Sequence, residues 1–109
     1  MIARICGKLL EKENNSLLIE VEGITYRVYV SSSTLQRISE NINPDGTIRL
    51  VTYYYIHNEP SRNIPILIGF LNEIEREFFE IFITVSGIGP RAALKALNKP
   101  ISSIANAIY

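Results

Sequence analysis

The most constraining feature of this chain is the heptapeptide VSGIGPR at residues 85–91, which must turn the chain sharply between two helical patterns. Gly87 suits the left-handed position just past the end of a helix. Pro90 suits the first position of the next helix, where its missing N–H costs nothing. Gly87 and Gly89 leave backbone N–H groups uncovered by a Cβ, with Arg91 close by, so an anion can approach closely. The heptapeptide therefore predicts a helix-hairpin-helix unit whose hairpin holds one phosphate.

A phosphate held by backbone amides carries no base information, so the predicted site would bind nucleic acid independently of its sequence. A Gly-x-Gly segment is also a common way to end a helix and turn a corner. Taken alone, the heptapeptide leaves this simpler interpretation open.

The segments on both sides of the heptapeptide favour helices. Asn72 with Glu75 three residues later predicts an N-terminal cap. Upstream apolar residues recur at the spacing of one helical face, which we expect to be buried: Ile74, Phe78, Ile81, Phe82 and Val85. Downstream, residues 92–97 predict a short helix that residues 98–100 end. A third apolar pattern, over residues 101–108, is still running at Tyr109. It favours a fragment of a longer protein, and a naturally short relative is the alternative.

The first seventy residues have the alternation and turn signals of β structure. Predicted strands cover residues 2–12, 17–22, 24–30, 47–56 and 66–70, with a short helix within residues 31–38. The sequence NPDG at residues 43–46 is a turn signal. Residues 57–65 contain two prolines and predict a polar loop.

Five strands with a helix between the third and fourth have the element order of an OB-fold barrel. The predicted fold class is therefore a β barrel plus α: a five-stranded OB-fold over residues 1–70, then a partial helix-hairpin-helix region over residues 71–109. A small β sandwich or an SH3-like barrel is the structural alternative.

Composition narrows the possible functions. Eleven lysines and arginines balance eleven acidic residues, so DNA binding would need a local basic patch or an assembly. Cys6 is the only cysteine, which excludes a disulfide framework and a cysteine-rich metal site, and we expect it to be a small buried residue of a strand. The sequence has no Gly-rich loop that ends in Lys-Ser or Lys-Thr, so a nucleotide-hydrolysing site of that kind is not expected. No cofactor is expected either. No apolar run suits a membrane span or a signal peptide, so we expect a cytoplasmic protein.

Five segments in this order and spacing resemble the RuvA family of Holliday junction branch-migration subunits: residues 1–12, 21–28, 67–70, 75–79 and 85–94. The resemblance implies a non-catalytic subunit that assembles as a homotetramer and binds a four-way DNA junction during recombination and repair. ATP-driven branch migration is then the work of a partner, the hexameric ATPase RuvB. The family recruits RuvB through a third domain with no counterpart in these residues, so we expect no productive coupling to RuvB.

The resemblance also implies site residues. Gly87, Ile88, Gly89 and Arg91 take the family's phosphate-binding positions, and the Ile88 side chain is expected to anchor between the two helices. Lys95, one turn after Arg91, extends the basic strip or is simply a solvated helix charge.

Family members carry an acidic pin between the fourth and fifth strands, usually two adjacent acids after a basic residue. In this chain the corresponding loop, residues 57–63, has Glu59 as its one acid and is longer than the family norm. The pin role is therefore assigned to Glu59 alone. A solvated loop glutamate is the alternative.

Other functions stay open at this point. The tyrosines at residues 26, 29 and 53–55 could stack single-stranded bases, which would make the chain an OB-fold single-strand binder. Alternation places Tyr53 and Tyr55 on one face and Tyr54 on the other. A hairpin-containing glycosylase or nuclease would need a catalytic Asp or Lys beyond the hairpin. A pure assembly module, in which the hairpin packs protein against protein, is a further alternative. A metal site at His57 is not expected, because no cysteine or second histidine could join it.

Overall fold

The computed structural model describes residues 2–97, so the predicted stop at residues 98–100 and the third helical pattern lie outside the described residues. Within these residues, five strands, three α-helices and one 3-10 turn follow one another. They are β1 Arg4–Lys12, β2 Ser16–Val21, β3 Ile24–Tyr29, α1 Ser32–Gln36, a 3-10 turn Ile38–Asn41, β4 Thr47–Glu59, β5 Arg62–Phe70, α2 Glu73–Ser86 and α3 Pro90–Ala96.

The five strands form a closed barrel in the order β1-β2-β3-β5-β4. All pairings are antiparallel except that of β3 with β5, which is parallel and has a single register pair, Tyr29 with Ile68. The predicted turn at residues 43–46 is present, since the Gly46 N–H donates to the Asn43 carbonyl over 2.9 Å. The OB-fold prediction is therefore confirmed, including the helix between the third and fourth strands.

The barrel interior is filled by aliphatic side chains, which we call cluster 1. Its fully buried members are Leu17, Ile19, Val28, Ile48 and Leu50. Gly69 faces this interior at close range: a Cβ there would lie 2.8 Å from Val28 Cγ1 and 2.9 Å from Leu50 Cδ1. A side chain at position 69 would therefore collide with the barrel interior.

Strand β5 is buried on both faces, which explains its continuous apolar run. Leu67 points into cluster 1, whereas the outward-facing residues of β5 pack against the helices in a second apolar cluster, cluster 2. The buried members of cluster 2 are Ile66, Ile68, Phe70, Phe79, Ala93 and Leu97. The predicted division into a barrel and a helical region at residue 70 stays a prediction, and the two parts share cluster 2.

The predicted polar loop over residues 57–65 is wrong, because β4 and β5 continue as a hairpin to Glu59 and from Arg62. The two prolines that suggested a loop are accommodated without loss of pairing. Pro60 lies in the turn, and Pro65 lies where β5 has β4 as its single neighbour. A strand tolerates proline where no N–H has to be donated to a neighbour.

The predicted buried face of α2 is confirmed only in part: Phe78 and Phe82 are half-buried against cluster 2, but the other three predicted residues are not. Ile74, Ile81 and Val85 are 77%, 53% and 81% exposed, whereas Phe79 is fully buried and Glu75 is 8% exposed. Relative to the prediction, α2 is rotated about its axis. Phe79 packs on aromatic rings of the barrel, and Glu75 pairs with an arginine. An exposed apolar stripe is left on the outer side of α2.

Cys6 is exposed, contrary to the expectation of a buried strand residue. Residues of β1 alternate between the two sides of the sheet, and its buried neighbour Ile5 takes the inward side. Cys6 therefore faces outward and pairs across the strands with Arg49.

Candidate nucleic-acid interface

The hairpin between α2 and α3 is built from local capping. The Asn72 side chain accepts from the Glu75 N–H over 2.9 Å, so the predicted N-cap of α2 is confirmed. At the other end Gly87 has φ 72°, the predicted left-handed position, and its N–H donates to the Ile83 carbonyl over 3.1 Å. Pro90 begins α3 as predicted. Sequence and structure thus agree on how the chain turns here.

The hairpin presents free backbone donors. Within residues 2–97, the N–H groups of Ile88 and Gly89 have no acceptor, whereas the Gly87 N–H already serves its own helix. A Cβ built on Gly89 would meet nothing within 4 Å, so open space lies in front of this part of the backbone. The Gly89 backbone is therefore open to an approaching anion on its Cβ side.

The Ile88 side chain does not anchor between the helices as expected. It is 38% exposed and is not among the residues of either apolar cluster. Phe79 of α2 and Ala93 of α3 are instead buried together in cluster 2, with Leu97 just after α3, and the hairpin tip lies outside the core.

Arg91 and Lys95 are exposed on α3 and are free of ion pairs: within the described chain, neither has a carboxylate oxygen within 4.0 Å. Most of the other arginines are paired, namely Arg4, Arg27, Arg37, Arg62 and Arg76. Positive charge is therefore uncompensated beside the hairpin in a chain of zero formal net charge. Both cations line one cavity of about 220 Å³ between α3 and the barrel.

Tyr55 lies beneath this basic edge. Burial raises the pKa of its hydroxyl, and the charge of Arg91 acts in the opposite direction. The Tyr55 hydroxyl oxygen is buried and has no hydrogen-bond partner among residues 2–97. An unpartnered buried donor of this kind is uncommon and marks a polar position inside cluster 2.

Ion pairs and one amide fix α2 on the barrel. Arg37 Nη1 donates to Glu75 Oε2 over 3.0 Å, and Arg4 Nη2 donates to Glu73 Oε1 over 2.9 Å. Next to them, Asn41 Nδ2 donates to the Leu71 carbonyl over 2.9 Å. The Glu40 and Glu75 carboxylates raise the pKa of the Arg37 guanidinium. These contacts could not be predicted from the sequence, because they join residues 30 to 69 positions apart and local patterns do not indicate such pairs.

The tip of the β4–β5 hairpin carries Glu59, the residue assigned to the acidic pin. Arg62 Nε lies 3.4 Å from Glu59 Oε2, and His57 Nε2 lies 3.8 Å from Glu59 Oε1. The carboxylate thus has a cation on the paired strand position, since Glu59 and Arg62 are register partners. The tip is charge-compensated within the hairpin itself.

Comparison with known proteins identifies the family. The model of the RuvA N terminal domain family matches residues 1–61. This chain belongs to the RuvA N-terminal domain family. The resemblance inferred from the five sequence segments is therefore confirmed.

Three relatives illustrate the similarity, and each is named Holliday junction branch migration complex subunit RuvA. The relative from Ruminiclostridium cellulolyticum is 36% identical over 98 residues, which is 90% of this chain and 46% of the relative. The relative from Desulforapulum autotrophicum is 33% identical over 108 residues, 99% of this chain and 49% of the relative. The relative from Borreliella burgdorferi is 39% identical over 98 residues, 90% of this chain and 46% of the relative. The chain spans about half the length of the curated relatives it matches.

In this RuvA-family chain the tyrosines divide as predicted. Tyr54 packs against cluster 1, whereas Tyr53 and Tyr55 pack against cluster 2. Tyr53 meets Phe79 edge-on, with ring centroids 5.6 Å apart. Tyr54 also lines a cavity of about 480 Å³ that Tyr26 and Tyr29 share.

Residues 2–97 contain no group of three His, Cys, Asp or Glu side chains able to hold a metal ion. Within the same residues, no helix has the length and apolar character needed to cross a membrane.

Proposed function

We propose that this chain is a non-catalytic DNA-binding subunit that recognises four-way junctions through backbone phosphates, in recombination and repair of DNA in the cytoplasm. One observation carries the proposal: the exposed hairpin leaves the Ile88 and Gly89 N–H groups without acceptors among the described residues, next to an unpaired Arg91. The relatives are named as subunits of the Holliday junction branch migration complex. The proposal assigns the same substrate, the Holliday junction, to this chain.

The hairpin binds one phosphate in this proposal. Ile88 and Gly89 supply amide donors, Gly87 forms the turn that exposes them, and Arg91 adds a charge-assisted contact. Lys95 lies one helical turn further along α3 and extends the basic edge beside Arg91. These contacts position the backbone and carry no sequence information, so any arm of a junction suits them.

Assembly supplies the affinity. One hairpin neutralises few phosphates, so a single chain binds weakly. In a homotetramer, four hairpins on one face act at high effective concentration on a four-armed substrate. A hexameric ATPase of the RuvB type then drives branch migration, and this chain contributes no nucleotide hydrolysis.

Glu59 is a weak pin in this proposal. A carboxylate near crossover phosphates repels them, but Arg62 Nε lies 3.4 Å from Glu59 Oε2 and offsets much of that repulsion. The long β4–β5 hairpin then separates the DNA strands mainly by its bulk.

Fluorescence anisotropy with a synthetic four-way junction and a linear duplex of the same sequence tests the proposal. We expect tighter binding of the junction at every salt concentration, and light scattering should give about four chains per junction. Equal affinity for duplex and junction, or no binding at low salt together with stable oligomers, would contradict it and favour a pure assembly module.

A second candidate function rests on the cavity of about 480 Å³ that Tyr26, Tyr29 and Tyr54 line. Aromatic side chains in such a position can stack unpaired bases, which is how OB-folds bind single strands. Competition between a junction and single-stranded DNA separates the two candidates. Preference for the single strand, lost in Tyr54→Ala and kept in Tyr54→Phe, would favour the second.

A further inference from the structure

The cavity between α3 and the barrel has a polar, basic rim over an apolar floor. Arg91 and Lys95 stand on one side of the rim, and Asn14, Asn15 and Ser32 stand on the other. The floor is formed by buried or half-buried apolar groups, mainly Tyr29, Ile66, Ile68 and Leu94. No carboxylate lines this cavity within the described part of the chain.

The combination of rim and floor defines the ligand chemistry. Two cations without ion-pair partners, one helical turn apart, suit a phosphate group. Side-chain amides and a hydroxyl opposite them suit the polar edge of a base, and an aromatic ring beside aliphatic groups suits its face. A nucleotide carries a phosphate and a flat, partly apolar ring within such a short span.

The size of the cavity sets a limit on the ligand. About 220 Å³ is below the roughly 300–1,000 Å³ of pockets that enclose a complete drug-sized molecule. A single planar base fits inside, while the attached sugar and phosphate stay at the rim. A base pair does not fit, so the base must be unpaired.

We propose that this cavity binds one unpaired nucleotide, with its phosphate on Arg91 and Lys95 and its base against Tyr29. The inference rests on the proposed function in one respect: the hairpin that ends at Arg91 delivers the strand. An unpaired nucleotide arises where strands exchange at a junction, and capture of its base would hold the strand open beside the hairpin.

Lys95 gives the sharper test of the phosphate contact, because Arg91 also belongs to the hairpin. Anisotropy titrations of the full chain use a labelled thymidine trinucleotide, the same trinucleotide with an abasic central residue, and free thymidine monophosphate as competitor. Lys95→Gln is expected to weaken trinucleotide binding about tenfold and to lower the salt slope by about one. Lys12→Gln, which removes an exposed lysine outside the cavity, is the matched control and should leave both unchanged.

The base contact has its own pair of variants. Tyr29→Leu is expected to lower trinucleotide affinity at least about fivefold, whereas Tyr29→Phe keeps the ring and the affinity. The abasic trinucleotide should bind the unchanged chain as weakly as the normal one binds Tyr29→Leu. Photo-crosslinking of a 4-thiothymidine trinucleotide should mark peptides that contain Tyr29, a readout that does not depend on the stability of any variant.

Two results would overturn the inference: equal affinity for normal and abasic trinucleotides, or equal effects of Lys95→Gln and Lys12→Gln. Competition by free thymidine monophosphate at similar concentration would identify a free nucleotide as a sufficient ligand, and its absence would identify a residue within a strand. The proposed function fails separately, since a chain that binds the trinucleotide but shows no junction preference retains the cavity site and loses the junction role.

Discussion

Arg37 Nη1 donates to Glu75 Oε2 over 3.0 Å, which joins the short helical segment between β3 and β4 to the helix that carries the hairpin. The Glu75 side chain is 10% exposed and that of Arg37 is 33% exposed, so the carboxylate is the more buried partner. Because Arg37 also holds Glu40, its position is fixed from both sides. The ion pair thus sets where α2 lies on the barrel.

Removing the arginine should therefore leave a buried carboxylate without its cation. We expect Arg37→Ala to lower the free energy of unfolding by about 1–3 kcal/mol. Arg27→Ala is the control, because the Arg27–Glu13 pair is exposed and should contribute about 0–1 kcal/mol. Urea unfolding monitored by circular dichroism measures both, and equal losses would contradict a special role for the Arg37–Glu75 pair.

Gly89→Ala tests whether open space before the hairpin amides matters. Gly89 has φ −73°, so alanine fits without strain, and the loss as an N-cap should stay below about 1 kcal/mol. The added Cβ fills the space through which a phosphate reaches the backbone, so junction affinity should fall about tenfold. Gly46→Ala is the control: at φ 86° in a distant turn it should cost a comparable or larger amount of stability and leave affinity unchanged. Unchanged junction affinity in Gly89→Ala would remove the hairpin from the interface.

Arg91→Glu should weaken junction binding and lower the slope of log affinity against log salt by about one for each hairpin bound. The physical reason is the loss of one released counterion and the gain of repulsion at the same phosphate. Arg49→Glu makes the same charge change at the other described arginine without an ion pair, on β4. Titrations at four salt concentrations measure the slopes, and equal effects of the two variants would mean that attraction comes from overall charge.

The β4–β5 hairpin gives a prediction of opposite sign. Arg62→Ala removes the cation beside Glu59 and should weaken junction binding a few-fold at low salt, because the carboxylate then repels phosphates. High salt should diminish the difference by screening. The double variant Arg62→Ala/Glu59→Gln should recover the affinity, and failure to recover would show that Arg62 itself contacts DNA.

Acid should weaken the attachment of α2 through Glu73. Hydrogen bonds from Arg76 and then Arg4 hold the pKa of Glu73 below its ordinary value of 4.5. A depressed folded-state pKa means that the stabilisation is complete above about pH 4.5 and is lost as the pH falls through the lower folded value. Thermal unfolding between pH 7 and pH 3 should therefore show a smaller acid loss in Glu73→Gln than in the unchanged chain, whereas Glu77→Gln, an exposed neighbour, should show the full loss.

Local patterns predicted much of this molecule. Alternation and turn residues gave the five strands and their order, and Gly87 and Pro90 gave the hairpin, because these features depend on neighbours in sequence. The rotation of α2 could not be predicted in the same way, since burial of Phe79 depends on Phe70 and Tyr53 across the interface. The β4–β5 hairpin was missed because proline is read as a loop signal, although its effect depends on which edge of the strand is paired. The roles of the predicted phosphate-binding residues and of Glu59 stay predictions.

The double burial of β5 has a mechanical consequence. One side of β5 packs in the barrel interior and the other packs against α2 and α3. A force applied to the hairpin between α2 and α3 is therefore transmitted directly to the barrel wall. A DNA arm attached at Gly89 and Arg91 would therefore be held by a stiff support and could not swing on a flexible tether. The packing of a single strand would then set the direction in which a bound arm leaves the protein.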